Sequence, residues 1–107
     1  MPGGTLAPWH TVRMTAYVLA DIDVTDPAGY EDYKSLAAAS VGQYGGRYVV
    51  RGGKVEVLEG SWPTSRFVML EFADGDAARR WYNSPEYAAA KAIRQEISKS
   101  KLVLVEP

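Results

Sequence analysis

The sequence predicts an α+β sandwich, a four-stranded antiparallel sheet with helices packed on one side. Three observations predict it. Short apolar, β-branched runs and helix-spaced stretches follow one another in the order strand, helix, strand, strand, helix, strand. Each long helical stretch opens on a polar cap followed at once by proline, in "TDP" and "NSP". The two middle strand runs are separated by "GSWPTS", a turn-rich loop that can return the chain antiparallel to itself.

Taken in order, residues 1–13 are rich in proline and glycine and read as a flexible arm, leaving residues 14–107 as one domain. "TAYVLADIDV", residues 15–24, is the first strand. Asp26 then caps a helix with Pro27 at its first position. Tyr30, Tyr33, Leu36, Ala37, Val41 and Tyr44 share one helical face, and Gly42 or Gly45 ends it. "GRYVVR" is the second strand. Gly52 and Gly53 permit a tight hairpin or a glycine bulge; the reading adopted is a bulge that bends one long strand onward through "VEVLEG". "RFVMLEF", residues 66–72, is the third strand. Asp74 or Asp76 caps a short helix carrying Ala77, Ala78, Trp81 and Tyr82, and Ser84 with Pro85 restarts it. Tyr87, Ala90, Ile93 and Ile97 form the inner face of that last helix, and "KLVLVEP" is the final strand.

With the second helix broken at Pro85, the order is βαββαβ, a ferredoxin-like sandwich. Helices cover only one face of such a sheet. Strands one and three are nevertheless apolar on both faces, so the open face also needs a cover. A second copy of the chain is the simplest one, and two sheets set face to face make a dimeric α/β barrel.

Composition bounds the function. The chain has 107 residues, enough for one core without covalent staples. Twelve Lys and Arg against thirteen Asp and Glu leave a net charge of −1, which gives no electrostatic case for nucleic acid or an anionic membrane. No apolar run approaches the ~20 residues of a membrane helix. The first residues lack the charged start and apolar core of a signal peptide, so the expected location is cytoplasmic. Cysteine is absent, which removes disulfides and thiolate chemistry. The single histidine, His10, sits in the arm and reads as a solvated side chain. A haem would want an axial histidine from the domain, so no cofactor and no metal are expected. "GGRYVVRGG" has neither the spacing nor the following helix of a phosphate-binding loop.

The segments "DIDVTDPAGYEDY", "YGGRYVVRGG", "VEVLEG", "SRFVMLEF" and "ARRWYNSPEYAAAKAIR" resemble the domain-of-unknown-function 1330 family, in order and over residues 15–106. The resemblance implies a ferredoxin-like domain of the dimeric α/β barrel superfamily, working as a homodimer. Relatives by fold include cofactor-free monooxygenases, chlorite dismutase-like haem proteins and muconolactone isomerases. A shared fold does not transfer an activity.

Strand parity locates the candidate site. Val18, Ala20, Ile22 and Val24 share the helix-packed face of strand one, with Tyr17, Leu19, Asp21 and Asp23 on the other. In strand three, Phe67, Met69 and Glu71 share one face. Arg51 closes the second strand beside Gly52, in step with Val49. This parity puts Asp21, Arg51 and Glu71 together on the face away from the helices, where two carboxylates and a guanidinium would satisfy one another. As an ion-pair cluster they would only hold the dimer seam together. As a site, Asp21 and Glu71 would move protons and Arg51 would grip an anion or enolate. Glu59 would border the same mouth or simply bond loop backbone. Trp81 would cover the ligand or fill the core. Asp26 reads as a helix cap and Arg94 as a surface or structural ion pair. The functional expectation is a homodimer binding a small anionic or carbonyl-bearing organic molecule between sheet and helices, with cofactor-free acid/base chemistry. The alternative is a non-catalytic carrier or a structural dimer whose polar cluster sets register.

Overall fold

The computed structural model describes residues 15–62 and 66–107. His10 and the arm of residues 1–13 lie outside the described residues. Strand β1 runs over Ala16–Val24, helix α1 over Pro27–Gln43 and β2 over Arg47–Arg51. Strand β3 spans Phe67–Phe72, helix α2 Gly75–Tyr82, helix α3 Pro85–Ile97 and β4 Ser98–Val105. The sheet order is β2-β3-β1-β4, every pair antiparallel. This is the ferredoxin-like α+β sandwich that the order of elements predicts.

The caps act as the sequence leads one to expect. The Asp26 carboxylate accepts the backbone N–H of Gly29 at 3.3 Å and so fills one of the donors left open at the start of α1. Asp74 rather than Asp76 caps α2, taking the Ala77 N–H at 2.7 Å. Asp76 instead pairs with Arg79 at 3.1 Å. The Ser84 hydroxyl accepts the Tyr87 N–H at 3.1 Å and opens α3. Helix α1 ends where Gly45 takes a φ of 72°, one of the two glycines offered by the sequence.

One side of the sheet is sealed. Val18, Ala20, Ile22, Val68, Leu70 and Phe72 pack against Tyr30, Tyr33, Ala37, Val41, Trp81 and Tyr87 from the helices. Burying ~1.5–3 kcal/mol worth of each large apolar side chain on this side is what holds the layers together. Leu36, expected on the inner face of α1, is 45% exposed, and Ser40 takes a buried place instead. On the other side of the sheet, Tyr17, Leu19, Phe67 and Met69 are half-buried and Val103 is exposed.

Two expectations about the middle of the chain are corrected. The strand does not run on through "VEVLEG": β2 stops at Arg51, and residues 53–62 form no regular strand. Val55, Val57, Leu58 and Trp62 are exposed there. The bulge is not at Gly52 and Gly53 either. It lies at Val49, between the Tyr48–Leu70 and Val50–Met69 pairs. Gly52, with a φ of 73°, turns the chain out of the strand, and its N–H still bonds the Phe67 carbonyl at 2.8 Å.

Candidate functional site

The bulge decides where the site is. Arg47 pairs with Glu71 and Tyr48 with Leu70, so Arg47 is on the open face and Tyr48 on the helix face. The extra residue, Val49, resets the alternation. Val50 then faces out with Met69, and Arg51 faces the helices with Val68. Without the bulge, Arg51 would share a side with Arg47. The expected grouping of Arg51 with Asp21 and Glu71 therefore does not form.

Arg51 instead sits at the edge of a crevice between the sheet and α1. It is exposed, its guanidinium carbon lies 4.5 Å from the centre of the Tyr48 ring, and one nitrogen points to the Lys34 carbonyl at 3.5 Å. Arg66 borders the same crevice. Its Nε donates to the Tyr30 hydroxyl at 2.5 Å, and its guanidinium lies 5.1 Å from the Tyr30 ring centre. Lys34 is 5.8 Å from that ring and also pairs with Glu31 at 2.9 Å. Neither Arg51 nor Arg66 meets a carboxylate among the described residues. Each of these two cations thus rests on a tyrosine ring, a contact worth ~0.5–1 kcal/mol where partly exposed.

Two hollows lie on this side of the sheet. Beside Tyr30, Tyr33, Tyr48, Arg51 and Arg66 the free volume is only about 20 Å³, enough for one water or one ligand oxygen. A larger hollow of about 280 Å³ opens between β1, β4 and α2, walled by Trp81, Tyr82, Leu102 and Leu104. Val18, Trp81 and Leu102 line both.

Behind the crevice runs a buried polar chain. The Tyr33 and Tyr87 hydroxyls are 3.0 Å apart. Arg94 Nε donates to the Tyr87 oxygen at 3.2 Å, and Arg94 Nη1 donates to the Ser100 hydroxyl. Arg94, expected in a surface or structural ion pair, is 4% exposed and has no carboxylate partner among the described residues. Burial disfavours its charge, but the adjacent Tyr87 and Tyr33 outweigh that and raise its pKa, so it stays a cation. Burial, followed by the Tyr87 neighbour, pushes the Tyr33 hydroxyl far above its ordinary value. Tyr48 is also raised by burial, partly opposed by Arg51. These phenols are held neutral at physiological pH.

The remaining expected residues are scattered. Glu71 lies on the open face, 2.5 Å from Arg47. Asp21 faces Lys101 across the β1–β4 ladder and borders an open-face hollow of about 290 Å³ with Trp62 and Phe67. Glu59 is exposed in the loop before Gly60. Trp81 is 1% exposed, donates its indole N–H to Ser40 at 3.0 Å and lies 4.2 Å from the Tyr87 ring. It is core that also lines the crevice. Sequence reasoning missed Tyr33, Tyr48, Arg66 and Tyr87. One signal was available: the chain has seven tyrosines against two phenylalanines. A core built on tyrosine brings hydroxyls inside, and each needs a partner.

Among the described residues no group of three or more His, Cys, Asp or Glu is placed to hold a metal ion, and no helix is long and apolar enough to cross a membrane. The fold and crevice define a small ferredoxin-like sandwich with a cation-edged cleft between sheet and helices. The family model described as a domain of unknown function (DUF1330) matches residues 15–107, and the chain belongs to that family. No curated protein matches the chain. Among solved structures it resembles a protein of unknown function from Rhodopseudomonas palustris, with 18% identity and a TM-score of 0.71 over 89% of this chain and 83% of that one. SnoaB, a cofactor-independent oxygenase from Streptomyces nogalater, aligns with 19% identity and a TM-score of 0.60, covering 87% of this chain and 92% of that one. A dimeric ferredoxin-like protein of unknown function from Jannaschia aligns with 14% identity and a TM-score of 0.62, over 87% and 99%. At these identities the likeness establishes the fold.

Proposed function

We propose that the chain is a homodimer that binds a small organic anion or enolised carbonyl compound in the crevice between sheet and helices. One observation carries the reading: Arg51 and Arg66 converge on one narrow opening, on tyrosine rings, with no carboxylate among the described residues to neutralise them. An anionic oxygen fits the small space beside Tyr33, and an aromatic or branched body fits the adjoining hollow of about 280 Å³, which is the size of a single-ring molecule rather than a dinucleotide. The groups at hand are cations and neutral phenols. They suit oxyanion or enolate stabilisation, which is the part of cofactor-free chemistry this crevice is equipped for. Asp21 and Glu71, on the open face, are better suited to the seam with a second copy. That copy would cover Leu19, Phe67 and Met69, in keeping with the dimeric relatives of the same fold.

Native mass spectrometry of protein purified without added ligand tests the binding reading. Wild type should retain a small molecule, and the Arg51→Met, Arg66→Met double variant should lose it while keeping its melting temperature. Failure of wild type to retain any ligand, together with no thermal shift from benzoate, para-hydroxybenzoate or acetylacetone, would overturn it.

A further inference from the structure

The buried chain Arg94–Tyr87–Tyr33 has a direction, and chemistry fixes it. A guanidinium has donors and no acceptor. At 3.2 Å from Arg94 Nε, the Tyr87 oxygen must therefore accept. The Tyr87 proton then needs an acceptor of its own, and among the described residues the only hydroxyl bonded to it is that of Tyr33, 3.0 Å away. Tyr87 is completely buried and does not line the crevice, so water offers its proton no ready alternative. With the Tyr33 oxygen receiving that proton, the proton of Tyr33 has no acceptor among the described residues. Tyr33 lines the small space shared with Tyr48, Arg51 and Arg66.

We infer that Arg94 is a positioning residue: acting through Tyr87, it turns the Tyr33 hydroxyl into an oriented donor aimed at the oxygen of whatever anion occupies the crevice. The inference rests on the crevice reading above. The reverse orientation, with Tyr33 donating to Tyr87, would leave Tyr87's proton stranded and would present a lone pair to the ligand. Arg94 removes that alternative. Another of its five donors, on Nη1, is tied to Ser100 on β4, which together with its place in the last turn of α3 holds the guanidinium against Tyr87. Each bond in such a chain also polarises the next, which strengthens the terminal donor.

The probe is para-nitrophenol, whose phenolate is seen directly by absorbance and which titrates near neutral pH. Bound to wild type, it should show a larger phenolate fraction than in buffer at the same pH. Tyr33→Phe removes a donor to a charged oxygen and should weaken binding about tenfold or more. Arg94→Met and Tyr87→Phe should each fall between wild type and Tyr33→Phe in affinity and in phenolate fraction. Arg94→Lys, which still offers only donors, should recover most of both. Adding Arg94→Met to Tyr33→Phe should change neither further, because Arg94 works only through Tyr33. A purely structural Arg94 would lower the melting temperature, leave the phenolate fraction of bound probe unchanged and add independently to Tyr33→Phe; that result overturns the inference. If Arg94→Met does not fold, Tyr87→Phe, which removes one oxygen, decides the matter by the same two readouts. If wild type does not bind the probe, the inference falls together with the crevice reading. If Arg51→Met weakens binding while Arg94→Met and Tyr87→Phe do not, the reading stands and the inference alone fails.

Discussion

On the open face of the sheet, charge meets charge: Arg47 reaches Glu71, and Asp21 and Asp23 stand opposite Lys101 and Lys99. On the helix face, Arg51, Arg66 and Arg94 meet tyrosine rings, hydroxyls and a backbone carbonyl, and no carboxylate among the described residues. The two sides of the same sheet thus border two electrostatic regimes. Opposite charges across a ladder only tidy a surface. Cations set on rings and hydroxyls leave the guanidiniums free to meet an anion from outside, which is what the proposed ligand site asks of them. Nothing about arginine as a residue type distinguishes Arg47 from Arg51; one bulge between them does.

The contrast can be broken from several sides. The largest expected effect is on the sealed face. Trp81→Ala should cost about 3–5 kcal/mol, since it empties the centre of the core and removes the indole N–H that Ser40 accepts. Denaturant unfolding measures it. Leu19→Ala on the open face is the counterpart: in a monomer it should cost well under half as much, and a comparable loss would mean that a second copy covers the face.

Gly52→Val should come next. Its φ of 73° is a left-handed conformation, worth roughly 1–2 kcal/mol against a branched residue, and a Cβ there would overlap the Arg66 guanidinium. Both stability and crevice binding should fall, whereas the same change at Gly53, which has no such φ, should be milder.

The pH dependence tests the buried phenols. Tyr33 holds its proton in the folded state well beyond the ordinary value of 10.0, whereas the unfolded chain releases it there. The folded state therefore binds more protons above about pH 10, and stability present below that pH is lost as pH rises through it. A melting-temperature profile from neutral to strongly alkaline pH should fall on that limb. Tyr33→Phe should flatten the fall.

The smallest effect belongs to the open-face pair. Glu71→Gln should cost less than about 1 kcal/mol and should matter less as salt is added, because Arg47 is largely exposed. Glu71→Gln should also leave ligand retention unchanged. Loss of the ligand in that variant would return the candidate site to the open face.

Much of the architecture was legible in residue order. Asp26–Pro27 and Ser84–Pro85 mark helix starts by local hydrogen-bond chemistry. The alternation in β1 separates Val18, Ala20 and Ile22 from Leu19 and Asp21 because a strand has period two. Trp81 rather than Tyr82 turns inward because helical spacing allows only one of two neighbours on a face. These are short-range rules, and the chain obeys them at these positions, though not at Leu36, whose place on the inner face of α1 Ser40 takes.

The site was decided elsewhere. "RYVVR" contains no glycine or proline to announce a bulge, and its parity depends on which residues of β3 it meets. One extra residue in that pairing carried Arg51 from the expected face to the other. Arg94 follows the inner-face spacing of Tyr87, Ala90 and Ile97, yet a guanidinium at such a position reads as exposed. It can be buried only because the hydroxyls of Tyr87, from its own helix, and Ser100, from β4, are brought to it. Local sequence determines elements and caps through interactions a few residues long. Strand pairing sets Arg47 against Glu71 and Arg51 against Val68, and the buried charge draws on a helix and a strand at once and, through Tyr87, on Tyr33 of another helix, so only the tertiary structure could decide them.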